Sequence, residues 1–514
     1  MTTAPAAILT LMVLSAVGLF PAVAAVGLRW VTVPLLPLGG AVVAALAAAG
    51  FVAVGGTFMI WFAGLAVAGA VSVAGHWSAR PEARPWRGRG RPVGARYRAT
   101  GVIGALAVAA TGGWCLRSLS APAVGFDARA IWLMRGGWFL QPHHQLLFDM
   151  RAPSLVLYQS AYPPLVSAST AVAWSIAGNH SFRLGVVVVA LLNACALAAA
   201  AFALVECGRT AAVRLAYPRE QRIDPGPADG EPGDVLPLAP LVAGVVAAVL
   251  LVPVASGITG PFMTNGYADP IWSLAAVGAV AFGLQLQAGR FQRGATALLL
   301  VVAGMSKEEG TAIAIALIAL VAVRAVATMA PGDRRRNLWR PVALAGLEVG
   351  AVALWPVVMR VIRARGATST FAPAGVWSGR VRPTYDALVP YLHVVVLAVP
   401  LAIVGAVFLS RVRRAAGTAN DGWGWAGLSV GLAGVGAVLV TDSGAIGPLL
   451  AGSVHRLSEF PALVGWWIVA VWAVVASGSV AAGRRRRNRR SRTAPAVTEG
   501  VTATGVRHDL TTTA

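Results

Sequence analysis

The chain has 514 residues, of which 57% are hydrophobic and only 12% are charged. Soluble domains carry about 25% charged residues, so this composition excludes an ordinary soluble domain and indicates an integral membrane protein. The net charge of +22 does not indicate a nucleic-acid partner. Its arginines lie in short connections and in the tail at 484–492, and they do not alternate with aromatic residues on a folded domain, as single-strand binding requires.

Apolar segments long enough to cross a bilayer recur along the chain, since a spanning helix needs about 20 mostly apolar residues. We therefore predict an all-α, polytopic transmembrane helical bundle. About thirteen spans are predicted, at 6–28, 31–54, 57–74, 100–117, 184–205, 238–256, 270–288, 294–306, 310–328, 341–359, 388–409, 424–441 and 459–479. No basic stretch precedes the first segment, and further apolar segments follow it at once. We interpret it as a retained span and not as a cleaved signal peptide.

The distribution of arginine predicts the orientation, because cytoplasmic connections carry an excess of basic residues. It places the N-terminus outside and the basic C-terminal tail in the cytoplasm of a multi-pass plasma-membrane protein. Two long connections, 118–183 and 360–387, then lie on the outer side. The apolar segment 164–178 inside the first of them is predicted to be a helix on the outer membrane surface.

Three regions are predicted from these features. Residues 1–99 form a module of three spans followed by a basic cytoplasmic loop, and residues 100–480 form the main transmembrane core. Residues 481–514 form a basic, disordered cytoplasmic tail, because the end of the chain is rich in Thr and Ala.

Charged residues collect at one set of predicted helix ends, all on the outer side in this topology. They are Asp127, Asp269, the run Lys307-Glu308-Glu309 and the pair His455-Arg456. Lys307 is the only lysine among 42 basic residues. Acids and bases that separate segments bring to one membrane face suggest a site, where a carboxylate can take a hydroxyl proton and cations can hold a phosphate.

Four short motifs occur in an order that resembles a known group of membrane enzymes. They are Phe126-Asp127-Ala128-Arg129-Ala130-Ile131-Trp132, Ala161-Tyr162-Pro163-Pro164-Leu165, Gly266-Tyr267-Ala268-Asp269-Pro270 and Ser306-Lys307-Glu308-Glu309-Gly310. With these motifs, roughly residues 100–475 resemble the GT-C superfamily, the integral membrane glycosyltransferases that use polyprenyl-phosphate sugars. The nearest group is related to protein O-mannosyltransferases and the lipid A aminoarabinose transferase.

The resemblance implies a GT-C-like bundle with an outer-face active site. It implies an inverting transfer of a sugar, by default a hexose such as mannose, from a polyprenyl-phosphate donor to a hydroxyl of a glycan, lipid or protein. No cofactor and no metal are expected.

The resemblance also implies roles for particular residues. Asp127 would be the general base, and Asp269 the second acid. The donor phosphate would contact Lys307, Arg456 and Arg129, and the substrates would contact Tyr162, Glu308, Glu309 and Tyr267. Two positions depart from the family pattern, since relatives often carry His at the position of Tyr162 and Asn at that of Glu308.

Other interpretations of the same residues stay open at this point. Asp269-Pro270 fits a plain helix start, and Lys307-Glu308-Glu309 fits a solvated turn between two spans. A transporter or flippase of lipid-linked sugars is the main alternative, although such proteins place their sites near the bilayer midplane. A polysaccharide polymerase or ligase, and an inactive scaffold of the same fold, are the others.

Overall fold

The structure is a computed structural model, and it describes most of the predicted core. The described residues are 2–26, 32–79, 124–152, 161–216, 257–285, 290–329, 331–364, 373–390, 400, 421–441, 447, 450 and 453–471. Regular structure in these ranges is helical, without a strand. The prediction of an all-α protein is confirmed for this part of the chain.

The helices are numbered here in chain order. They are α1 (Thr3–Val26), α2 (Thr32–Val54), α3 (Phe58–Ala79), α4 (Met134–Trp138), α5 (His143–Arg151), α6 (Leu165–Ala177), α7 (Phe182–Ala216), α8 (Asp269–Val280), α9 (Arg290–Ser306), α10 (Glu308–Ala327), α11 (Pro331–Asn337), α12 (Trp339–Val361), α13 (377–390), α14 (Asp421–Thr441) and α15 (453–471). Two π-helical turns, Ala128–Leu133 and Ala281–Gln285, adjoin α4 and α8. Two 3₁₀ turns lie at Gly260–Met263 and Ala374–Val376.

Seven of the described helices are long and apolar enough to cross a membrane. These segments are Thr3–Val23, Thr32–Val54, Phe58–Gly75, Phe182–Leu204, Glu308–Ala327, Trp339–Val361 and Trp423–Thr441. Three shorter apolar helices are Leu165–Ala177, Asp269–Leu284 and Phe291–Ser306. The chain is therefore a membrane protein. The count of thirteen stays a prediction, because 100–117, 238–256 and most of 388–409 lie outside the described residues.

The first two helices are part of the main packed body. Gly40 of α2 lies so close to α1 that a Cβ would overlap the carbonyl oxygen of Leu14, and a Cβ on Gly18 would overlap that of Leu36. Such close backbone approach is typical of membrane helices that pair through small residues. Helix α2 also packs on α6 and α7, whereas α3 contacts only the α1–α2 pair closely. The predicted boundary at 99/100 and the tail lie outside the described residues.

Helix α6 differs from its prediction. Every residue from Leu165 to Trp174 is buried, and the helix packs against α2 and α7. A helix on the membrane surface would keep one exposed polar face, so the prediction of a surface helix at 164–178 is wrong. Neighbouring helices instead cover both its apolar side chains and its small hydroxyl side chains, of which Ser169 and Thr170 bond to the carbonyls of their own helix.

Four helix ends meet at one end of the bundle. Helix α8 begins there, α9 ends there, and α10 and α15 begin there. A single extended residue, Lys307, joins α9 to α10. The two helices approach so closely that a Cβ on Gly310 would overlap the carbonyl oxygen of Ala303. This tight helical hairpin therefore fixes the position of the Lys307 backbone.

Candidate functional site

Side chains from four separate segments form one ion-pair cluster at this end of the bundle. Arg456 Nη1 lies 2.6 Å from Asp127 Oδ2, and its Nε lies 3.2 Å from Asp269 Oδ1. Lys307 Nζ lies 2.7 Å from the same oxygen of Asp269 and 3.0 Å from Glu309 Oε1. The structure thus brings together five acids and bases that the sequence analysis selected, with Asp269 shared between both cations and Glu309 paired with Lys307.

The cluster has a buried side and an open side. The side chains of Asp269 and Lys307 are 0% and 1% exposed, whereas those of Arg456 and Asp127 are 14% and 29% exposed. A ligand that approaches the cluster would therefore meet Asp127 and Arg456 first. A buried charge is stable only beside an opposite charge, and Asp269 and Lys307 are each other's ion-pair partner.

The carboxylates around Lys307 and Arg456 stabilise the charged form of both side chains. Burial lowers the pKa of the Lys307 ammonium, but the carboxylates of Asp269 and Glu309 outweigh it, and the pKa ends above its ordinary value. Burial likewise opposes the charge of Arg456, and Asp269 and Asp127 again raise its pKa above the ordinary value. Both cations therefore stay charged at neutral pH.

Local backbone structure positions the two acids. Asp127 directly precedes the π-helical turn Ala128–Leu133, and such turns occur frequently at functional sites. Gly266, with a φ of +90°, lets the chain turn against Ala128 just before α8. Asp269 is the first residue of α8, followed by Pro270 in the first turn, and its Oδ2 is buried without a hydrogen-bond partner. Its Oδ1 binds Lys307 and Arg456.

Aromatic rings line one side of Arg456. Its guanidinium carbon lies 5.3 Å from the centre of the Tyr267 ring, a distance that gives a cation–π interaction. The Tyr267 ring packs on Phe262 at 4.8 Å, and Phe262 packs on His455 at 5.7 Å. Burial, and then the charge of Asp127, raise the pKa of the Tyr267 hydroxyl, so it stays protonated. Tyr267 thus adjoins the cluster, and its role as a substrate contact stays a prediction.

Tyr162 lies beside the cluster and makes no ion-pair contact with it. Its ring stacks on Trp132 at 5.2 Å, and its carbonyl oxygen accepts a hydrogen bond from Arg135 Nη2 at 2.6 Å. Trp355 Nε1 donates to the preceding carbonyl, that of Ala161, at 3.0 Å. The Tyr-Pro-Pro segment is therefore held by its backbone, whichever ring occupies the first position.

The remaining two predicted residues are exposed. Glu308 acts through its charge on Arg135 and on Tyr162. The ion pair with Lys307 is made by the next acid, Glu309. Arg129 is exposed on the π-helical turn and is not among the residues that bind Asp127.

Two further residues of this region were missed in the sequence. Glu459 is 0% exposed, and its Oε2 lies 3.3 Å from Ser273 Oγ. Glu459 follows Arg456 by three residues on α15, and Ser273 follows Asp269 by four on α8, so each pair shares a helix face. An acid three residues after Arg456 inside an apolar helix was the available signal. The predicted span began at 459 and so separated the two.

No metal centre is evident in the part of the chain that the structure describes, where no three His, Cys, Asp or Glu side chains are grouped so as to hold an ion. His143, at the start of α5, lies 3.1 Å from the carbonyl oxygen of Val52 through its Nε2 and packs on Phe51. That histidine therefore docks α5 onto the end of α2.

The chain matches no family model, no curated protein and no solved structure. The geometry of the ion cluster and the motif resemblance therefore carry the functional argument.

Proposed function

We propose that the protein is a membrane glycosyltransferase of the GT-C type, which moves a sugar from a polyprenyl phosphate to an acceptor hydroxyl at the outer membrane face. One observation carries the proposal. Arg456 binds both Asp127 and Asp269, and Asp269 also binds Lys307, so residues from separate motifs meet at one end of the bundle. If the motifs matched the family pattern by chance, there would be no reason for their charged residues to lie together in the folded chain.

Asp127 would act as the general base. It is the most exposed acid bound to the two cations, and its Oδ2 is held by Arg456 Nη1. When the phosphate of the sugar donor binds, one of its oxygens accepts the hydrogen bond from Arg456 Nη1. Asp127 Oδ2 is then free to accept a hydrogen bond from the acceptor hydroxyl. The hydroxyl oxygen then bonds to the anomeric carbon, its proton passes to Asp127, and the bond from that carbon to the phosphate oxygen breaks with inversion.

Lys307 and Arg456 would stabilise the leaving phosphate. Both are charged and converge on one oxygen of Asp269, so they lie close enough to act on one anionic group. Charge-assisted hydrogen bonds to phosphate are about twice as strong as neutral ones. Asp269 would hold both cations in place, and Tyr267 would cover the face of the Arg456 guanidinium.

The test uses the full chain, purified and reconstituted in lipid, with a panel of polyprenyl-phosphate and polyprenyl-diphosphate sugars. We expect one monophosphate-linked donor to be consumed, and Asp127→Asn to lower turnover by about 10²–10⁴-fold, the usual contribution of a positioned base. A diphosphate-linked glycan as the only donor would favour a polymerase or ligase.

Asp149→Asn is the matched control. Asp149 lies in the same predicted outer connection, on α5, and accepts a hydrogen bond from Gln145 away from the cluster. The Asp149→Asn variant should consume the sugar donor at the wild-type rate. Consumption of no donor, or equal rates for Asp127→Asn and Asp149→Asn, would contradict the enzyme. Movement of lipid-linked sugars across the bilayer of proteoliposomes would then favour a flippase.

A further inference from the structure

Helices α8 and α15 are joined by two polar contacts, one turn apart. The outer contact is the ion pair of Arg456 with Asp269, and the inner contact is that of Glu459 with Ser273. Below them, the rings of Trp272 and Phe460 pack at 6.0 Å. The mechanism above uses the outer contact alone and leaves a fully buried carboxyl group without a role.

The geometry at Ser273 shows which partner supplies the hydrogen. Its Oγ lies 2.9 Å from the carbonyl oxygen of Asp269 and 3.3 Å from that of Pro270. A serine hydroxyl has one hydrogen, and a carbonyl oxygen can only accept. The shortest contact, to Asp269, therefore takes that hydrogen, and this pattern is common for serine in a helix. The contact with Glu459 is then a hydrogen bond only if Glu459 donates it.

The charges around Glu459 also favour a neutral acid. Asp269 on α8, Lys307 at the start of α10 and Arg456 on its own helix act on it. Those two cations already bind three carboxylates, those of Asp127, Asp269 and Glu309. Helix α14 presents Gly431 to Phe460 and has no ionisable residue between 423 and 440. Ionised Glu459 would be a fourth carboxylate on two cations, with no cation of its own.

We propose that Glu459 is a positioning residue that is held as a neutral carboxylic acid, and that its proton is required for the site to accept an anionic phosphate. The acid donates from Oε2 to Ser273 Oγ, and Ser273 donates to the carbonyl oxygen of Asp269. This chain fixes the first turn of α8, which carries the Asp269 carboxylate. The phosphate part of the proposal rests on the proposed function, whereas the protonation of Glu459 does not.

The first measurement needs no substrate. Infrared difference spectra of wild type and Glu459→Gln, both in lipid nanodiscs, report the carbonyl band of a protonated carboxylic acid. We expect this band in the wild type and its loss in Glu459→Gln. Ser273→Ala should keep the band and shift it, because the acid loses its acceptor. Absence of any band assigned to Glu459 would overturn the proposal.

The second measurement is the affinity for a sugar-free polyprenyl phosphate as a function of pH. The affinity of the wild type should fall about tenfold per pH unit once Glu459 loses its proton, because charged Glu459 repels the phosphate. Glu459→Gln cannot ionise, and its amide can still donate to Ser273. Its affinity should persist to higher pH, until the raised pKa of Lys307 is reached.

Glu348→Gln is the matched control for the pH profile. Glu348 is also a buried glutamate, 8% exposed, but it lies within α12, a helix that supplies none of the residues of the ion-pair cluster. This variant should show the wild-type profile. A wild-type profile for Glu459→Gln would overturn the link between its proton and the phosphate. Failure of the wild type to bind at any pH would instead contradict the proposed donor, and the infrared band alone would then decide the state of Glu459.

Discussion

Two helical hairpins of this protein bring a glycine against a backbone carbonyl of the partner helix, but they differ in what lies at the point of contact. In α1–α2, Gly40 contacts the carbonyl of Leu14 along a seam of small, apolar residues. In α9–α10, Gly310 contacts the carbonyl of Ala303, and the connecting residue is Lys307. The first hairpin gains packing alone. In the second, the same close approach also holds the backbone of Lys307, a buried cation, in one position. Close helix packing therefore serves stability in the first hairpin and positions a polar site in the second.

The largest effect is expected from removing the charge at the centre of the polar region. Asp269→Asn leaves Lys307 buried without its closest anion and frees one side of Arg456. Removing one partner of a buried ion pair typically costs about 3–5 kcal/mol. We expect a large fall in Tm by thermal unfolding in lipid, together with the loss of sugar transfer. Retention of the wild-type Tm would show that the cluster does not hold α8, α10 and α15 together.

The apolar hairpin should respond in stability alone. Gly40→Val forces a side chain into the backbone of α1, and overpacking of this kind typically costs about 1–3 kcal/mol. The Tm should fall, while the turnover per folded molecule should stay unchanged. Gly64→Val on α3 is the control, because a Cβ there meets no atom within 4 Å. A specific loss of turnover in Gly40→Val would remove the distinction between the two hairpins.

The smallest effect concerns the aromatic side of the cluster. Tyr267→Leu removes the ring over Arg456 but leaves both of its ion pairs. Cation–π contacts contribute about 0.5–2 kcal/mol, so we expect a rise in the donor KM of about 2- to 30-fold, with little change in Tm. Tyr267→Phe keeps the ring face and should resemble the wild type. Equal defects in both variants would assign the effect to the hydroxyl group.

The two departures from the GT-C motifs that the chain resembles are compatible with the site. The ring of Tyr162 stacks on Trp132 and its backbone carbonyl is held by Arg135, and both contacts suit any planar aromatic ring at this position. Glu308 is exposed and acts on Arg135, while Glu309 binds Lys307. Both departures therefore leave the ion pairs of Lys307 and Arg456 in place.

The sequence by itself determined the helices, the membrane environment and the set of charged residues at the helix ends. These features are local, because a bilayer requires each spanning segment to satisfy its own backbone hydrogen bonds and to be apolar over its length. Asp127, Asp269, Lys307 and Arg456 were visible as charges that interrupt or border such segments.

Only the tertiary structure decided which of these residues meet. A helix such as α2 is hydrophobic around most of its circumference, so its sequence does not say which face contacts which neighbour. The bond between Asp127 and Arg456 joins positions 329 residues apart, and neither local sequence specifies it. The burial of α6 and the contact of Glu459 with Ser273 depend in the same way on helix packing, since a buried polar group is recognised only by the partner that lies opposite it.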